Sequence, residues 1–372
     1  MAGGLLCESL PAAVPQDDAL QTLLSVSEKH PGDAAVADAW RQVAGWDMNR
    51  LADVMNALDQ AHPVARNWLR SAIDGMLEQP GRELPVAALQ RMVEDTARGL
   101  PSRRVAMELL ESSDPNLVES LIPNFLHDPA AEFRRPAVAK LIAEANKLQQ
   151  QPEEHKALLW TAFHAARAED QVLSIAKALE GMGETVDITE HFGFIRTWHI
   201  VGPFENKEMA GFDRVYPPET LTSDDFDDRG QPAADATFAG LEGPVRWRAA
   251  PVKPTTGEVD LNEALGKLKG VLAYGATVFH SDTARPAELR LRLQNPFKIW
   301  VNGKLVMSQR IGHTGNSFDQ YKVLVELVAG ANVIVVKSVQ PEPPQENEWY
   351  DAWHWSVRVC DSTGTAIQEG KK

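Results

Sequence analysis

A chain of 372 residues, 44% hydrophobic and 24% charged, is long enough for two domains with separate cores and too apolar to stay unfolded. Its net charge of −15 at pH 7 argues against nucleic acid as a partner, because neutralising phosphates takes a basic surface, and equally against an anionic membrane face. Its two cysteines, Cys7 and Cys360, show no CxxC or Cys/His ligand spacing, which excludes a motif-borne zinc site and favours inert thiols over a disulfide.

The first 28 residues hold no Lys or Arg, so the basic start of a signal peptide is missing and the compartment stays open. No run of about 18 apolar residues is present to span a bilayer. Residues 1–16 read as a variable N-terminus, and residues 17–185 as helices. Leu23 and Val26, then Val36, Ala39, Trp40 and Val43, then Leu51, Val54, Met55 and Leu58 recur at the spacing of amphipathic helices, as do Leu89, Met92 and Val93. Breaks at Pro31-Gly32, His62-Pro63, Pro80-Gly81, Leu100-Pro101, Asp114-Pro115 and Asp128-Pro129 cut the stretch into short segments, which predicts antiparallel helix pairs. Arg66, Arg103 and Arg134 each stand just after a turn at the start of an apolar helix, 37 and 31 residues apart. That period suits a helical repeat, in which one pair cannot bury its face without stacking on a neighbour. An irregular helical domain is the other reading.

After Gly183 the helical period ends. Residues 186–197 read as a junction, with His191-Phe192-Gly193-Phe194-Ile195 apolar enough to be buried and no Gly/Ser- or Pro-rich tether. Residues 198–367 show short alternating strands, many aromatics and frequent turn signals, the pattern of an all-β sandwich. Residues 198–201 predict the first strand, ending at Gly202-Pro203, and residues 205–246 a long surface excursion. Residues 288–294 (ELRLRLQ) alternate, and 297–301 join 304–307 through Asn302-Gly303, a strong hairpin turn because both positions tolerate positive φ. Residues 320–328 and 332–339 predict a second hairpin around Ala329-Gly330-Ala331. Residues 352–360 close the domain with Trp353, Trp355, Val357 and Val359 on the core face, and residues 368–372 are a tail. Trp300, on the same strand face as Lys298 and Asn302, is expected toward solvent.

The segment from Asp128-Pro129 to Ile142, with Arg134 near its helix start, is similar to the HEAT-repeat pattern, in which such an Arg pairs with the Asp of the turn. The stretches WHIVGPFENKEMAGFDRVYPPE, KIWVNGKLV, FDQYKVLVELVAGANVIVVK and WHWSVRVCDSTGTAI resemble a family of bacterial HEAT-repeat proteins. The resemblance implies an N-terminal α-helical HEAT-like repeat array, an α-solenoid of armadillo type, followed by a C-terminal antiparallel β-sandwich of jelly-roll, galactose-binding-like type. It implies no activity, since fold alone does not.

Chemistry is sparsely marked. GxSxG, HExxH, SxxK and GxxxxGK[ST] are all missing. Asp224, Asp225, Asp227 and Asp228 do not fit an EF-hand frame, because Arg229 stands at a ligand position, and they read as a solvated loop. A structural calcium held by backbone carbonyls stays open; no other cofactor or metal is expected. Strand alternation places two long loops, residues 309–319 and 340–351, at one end of the sandwich, where rigid scaffolds carry ligand-binding residues. Arg310, His313, Asn316, Asp319, Gln320, Trp349 and Tyr350 there combine planar hydrogen-bonding groups with an aromatic face, as a sugar requires. The plainer readings are Trp349 as a cover for the sandwich end and Asp319 as a turn cap. The expectation is a non-catalytic protein binding a glycan or similar small polar ligand. The alternative is a scaffold with a protein partner on the helical array, and a hydrolase without a recognisable motif comes third.

Overall fold

Many of the helices begin where proline or a side-chain acceptor deals with the free N–H groups of a first turn. The computed structural model describes residues 16–227, 229–233, 236–312, 315–342 and 351–370. Helices fill the N-terminal part and antiparallel sheets the C-terminal part, in two compact units, Met1–Glu144 and Ala145–Lys372.

The first unit contains α1 (Asp18–Leu24), α2 (Ala34–Ala44), α3 (Leu51–Gln60), α4 (Pro63–Leu77), α5 (Val86–Glu94), α6 (Leu100–Ser113), α7 (Pro115–Leu121) and most of α8 (Ala131–Lys147). Asp17, Asp33 and Asp114 cap α1, α2 and α7 with their carboxylates, and Pro63 and Pro101 stand in the first turns of α4 and α6. Gly99 offers α6 no cap of its own. Asp59 on α3 supplies one, accepting from Gly99 N, Ser102 N and Ser102 Oγ at 3.2, 2.9 and 2.8 Å. The three spaced arginines have matching jobs: Arg66, Arg103 and Arg134 donate through Nε to the carbonyls of Leu58, Val93 and Asp128. Arg103, fully buried, also grips the Asp128 carboxylate with both Nη groups. The Asp of the turn therefore takes its ion pair from the preceding arginine of the series, two helices earlier, while Arg134 binds the Asp128 main chain.

The second unit starts with the end of α8, then α9 (Pro152–Ala165), α10 (Glu169–Gly181) and α11 (Ile188–Phe192). It continues through β1 (His199–Glu205), α12 (Ala210–Asp213), β2 (Thr237–Ala239), β3 (Pro244–Arg246), β4 (Arg248–Ala249), β5 (Val259–Asp260) and α13 (Leu261–Leu265). The long strands follow: β6 (Val271–Ser281), β7 (Arg285–Leu293), β8 (Phe297–Val301), β9 (Lys304–Gln309), β10 (Tyr321–Leu327), β11 (Gly330–Gln340) and β12 (His354–Cys360). One sheet has the order β4-β1-β6-β11-β8-β9, the other β10-β7-β12-β5, with β2-β3 as a small third. The inward sides of the two larger sheets share one apolar cluster that includes Ala273, Ile299 and Val336 from one and Leu289, Leu291, Trp355 and Val357 from the other. A second cluster covers the outer face of the six-stranded sheet, where Phe212 and Tyr216 of the excursion after β1 lie on Tyr274, Trp300 and Val335.

Three expectations need correction. β10 and β11 are not a hairpin: β10 pairs with β7, whereas β11 lies between β6 and β8 in the other sheet. The buried Asn332 side chain shapes the crossing, accepting from Val328 N and donating to Val328 O and Gly330 O, so a side chain replaces the backbone ladder a hairpin would have. Trp300 is buried, because the excursion covers its face. β1 does not stop at Gly202-Pro203 but continues to Glu205 through a register shift between Val201 and Phe204. Among the described residues no helix is long and apolar enough to cross a membrane.

Candidate functional site

Strand register puts the connections after β7, β9 and β11 toward one end, since Phe297 pairs with both Gln309 and Ser338 and Tyr321 pairs with Leu291. The candidate residues on them do not converge where they are described. Arg310 pairs with Asp213 beside the Phe212 ring, on the outer side of the six-stranded sheet. Asp319 lies instead on the outer face of the four-stranded sheet. Its Oδ1 accepts from Arg358 Nε at 2.7 Å, and its Oδ2 from Arg358 Nη2 at 2.6 Å and Arg290 Nη1 at 2.8 Å. Asn316 is exposed, and Gln320 donates to the Tyr321 hydroxyl at 3.3 Å. His313, Trp349 and Tyr350 lie outside the described residues. Of the acidic run, Asp225 closes a capping box with Thr222, and Asp227 accepts from Arg229 N and Gln231 N; Asp228 lies outside the described residues.

The Asp319 cluster is a structural clamp. Arg358, wholly buried, also donates to Phe192 O and Gly364 O and lies over the Phe318 ring. Burial is the largest influence on the Asp319 carboxyl and works against its charge, yet the hydrogen bonds and charges of Arg358 and Arg290 together hold it below the usual carboxylate range. Cys360, a free thiol on the same face, is pushed up to about 11 by burial and is poorly placed to react. A second clamp sits under the excursion. The Lys337 ammonium, buried in the middle of β11, donates to Phe212 O, Arg214 O and Glu219 Oε1 at 3.0, 2.7 and 2.8 Å. Tyr274 donates to the same Glu219 oxygen. Burial draws the Lys337 pKa down and Glu219 opposes it.

A cleft of about 440 Å³ lies elsewhere in the second unit. α11 ends at Gly193, which has a positive φ and where an added Cβ would lie 2.6 Å from Val359 O. The chain then runs beside β12, with Ile195 N donating to Val357 O, and crosses to the other sheet as β1. The β1 ladder on β6 begins at Ala276, so residues 277–279 of β6 have no strand on that side. Thr277 and Phe279 alternate with Ala273 toward the interior and form the floor with Ile195 and Ile367. Phe194, Glu190, Arg196, Arg229, Gln368 and Glu369 surround it. Arg196 is held by Asp187, and Glu369 faces His280, whereas the Arg229 guanidinium has no partner among the described residues. Behind the floor, Gly275 admits the rings of Trp198 and Trp355, which meet edge to face with neither indole N–H accepted.

The first unit has a groove of about 450 Å³ between α6, α7 and α8. Its floor is apolar, with Met107, Val118, Ile122, Phe125 and Phe133, and its rim carries Glu108, Glu111, Glu132 and Arg104, with Arg104 paired to Glu132 and Arg70 to Glu108. Sequence reading missed both sites. The flank cleft comes from a ladder that ends early, and the groove from three helices whose faces show no unusual pattern.

No protein-family model and no curated protein matches the chain. Similar solved structures include a β-glucosidase from Kluyveromyces marxianus in complex with glucose, at 10% identity over 46% of this chain and 16% of that one, with a TM-score of 0.22. An anti-sigma factor domain-containing protein from Clostridium clariflavum is 12% identical over 47% of this chain and 49% of its own, with a TM-score of 0.21. A GH31 α-xylosidase from Xanthomonas citri is 16% identical over 43% and 18%, with a TM-score of 0.22. This chain spans less than half of each of the three.

Proposed function

We propose that the chain is a non-catalytic binding protein whose second unit takes a small polar ligand, a saccharide or similar polyol, in the cleft beside residues 277–279 of β6. The observation that carries this reading is the composition of that cleft. Arg229 and Gln368 offer planar hydrogen-bonding groups over an apolar floor, which matches the hydroxyls and the CH surface of a sugar ring. In this reading the first unit is a HEAT-like α-solenoid, which the matching roles of Arg66, Arg103 and Arg134 support, and the second a galactose-binding-like jelly-roll. A glycan array followed by calorimetry tests it. A hydrogen bond from a charged group contributes about 1.5–3 kcal/mol, so Arg229→Ala lowers affinity about tenfold or more. Absence of binding across the array, or affinity unmoved by both Arg229→Ala and Thr277→Val, overturns it. Hydrolysis of a bound glycan would overturn its non-catalytic part.

One observation favours the scaffold as a second reading: the groove of α6, α7 and α8 sets a charged rim around an apolar floor, which suits an amphipathic segment of a protein partner.

A further inference from the structure

Of the four edges of the two larger sheets, three are blunted. β4 and β5 have two residues each, and β9 follows a register shift at Ile299 and Trp300. β10 differs. Its seven residues, YKVLVEL, contain no Gly or Pro and keep unbroken register with β7 from Tyr321 and Leu291 to Leu327 and Arg285, with no strand on the other side among the described residues. An open row of backbone donors and acceptors of this length is a template for another strand, and chains that stay monomeric interrupt it.

The side chains say which strand fits. Lys322, Leu324 and Glu326 point outward and are exposed, Leu324 to 66%. Set antiparallel against itself about Leu324, the strand is self-complementary. Lys322 then faces Glu326 of the second copy, Leu324 faces Leu324 of the second copy, and on the inward side Val323 faces Val325. Moving the centre by one residue either way sets a charge against Leu324. Two-fold symmetry demands such self-complementarity, and directly opposed charged or aliphatic pairs stabilise a sheet. A cleft of about 340 Å³ lined by Val301, Val306, Leu324 and Val328 opens beside the same edge and adds apolar surface to cover.

We propose that two copies of this chain pair edge to edge along β10, antiparallel about Leu324, joining their four-stranded sheets into one. The interface does not use the flank cleft, so it stands independently of the ligand proposed there. Sedimentation velocity on the full chain over a wide concentration range is expected to show a dimer. Lys322→Glu puts carboxylates opposite each other twice and weakens the dimer about tenfold, given cross-strand pair energies. Adding Glu326→Lys restores it. Directly opposed Cα atoms lie roughly 4.5–5.5 Å apart, within disulfide reach, so Leu324→Cys in a Cys7→Ser background cross-links on oxidation and Lys304→Cys does not. A monomer at all concentrations overturns the proposal. So does a dimer that ignores Lys322→Glu, is not restored by the double reversal, or fails to cross-link through position 324.

Discussion

Asp319 sits in a polar loop, yet two arginines from strands 29 and 39 residues away in sequence occupy it. Replacing it with Asn leaves Arg358 buried with its charge unmatched, and breaking a buried pair costs about 3–5 kcal/mol. Urea denaturation of Asp319→Asn checks this, and a loss under about 1 kcal/mol would show the clamp to be ornamental. Because the folded pKa of Asp319 is depressed, its stabilisation is complete above the ordinary carboxylate range and fades as pH falls through the lower folded value. His191 runs in a different window. Burial lowers its pKa to about 4, the ring packs 4.3 Å from that of Phe163, and Nε2 meets Ala166 O at 2.9 Å. Between about pH 4 and the ordinary value near 6.5 the unfolded chain binds the extra proton, so stability falls as pH drops through that window. The shift corresponds to about 3 kcal/mol. Comparing denaturation midpoints at pH 7 and pH 5, which cover only the upper part of that window, should show a loss of about 2 kcal/mol in the parent and a smaller one in His191→Gln. The clamp did leave a trace in the sequence: Arg290, Arg292 and Arg358 alternate with apolar residues on strands, and cations so placed need acceptors from elsewhere. Which acceptors they find is a matter of tertiary structure that no local pattern carries.

At the scale of elements, legibility followed alternation. β7 and β12 alternate apolar with polar or charged residues and were read correctly, although β12 is buried along nearly its whole length, as was the Asn302-Gly303 turn. β6, the strand to which β1 and β11 both pair, is buried along most of its length and went unassigned because VLAYGATVFHS has no alternation to detect. β11 is buried too and was expected as a strand over 332–339, but its partner was misplaced, and the Lys337 within its apolar run is the anchor of the excursion. Lys337→Met would keep the bulk and delete the donor, leaving Phe212 O, Arg214 O and Glu219 to find other partners at about 1–3 kcal/mol for each buried group left unsatisfied. The expected result is several-fold faster limited proteolysis within residues 206–226, with hydrogen exchange of β6 little changed. Equal protection of the excursion in parent and variant would mean that its aromatic contacts alone hold it.

For the whole molecule, the change of periodicity near Gly183 separates helix from strand, while packing divides the chain inside α8. The two differ because periodicity reports which secondary structure a segment adopts, not which core it joins. The outer face of the four-stranded sheet shows why α9, α10 and α11 go with the sheets. That face carries three arginines. Glu169 of α10 pairs with Arg292, the carbonyl of Phe192 in α11 accepts from Arg358, and Arg167 after α9 donates to Thr365. A fragment of residues 145–372 should therefore fold and melt as one cooperative unit, whereas one starting at residue 186 loses Glu169 and the Phe163 contact with His191. Exposing Phe163 and its ring partners costs about 3 kcal/mol, which at about 2–4 °C per kcal/mol for a domain of this size lowers Tm by about 6–12 °C. Scanning calorimetry of the two fragments decides it. Equal melting temperatures would mean that the sheets are complete without those helices and that the arginine face is satisfied from within the strands and loops.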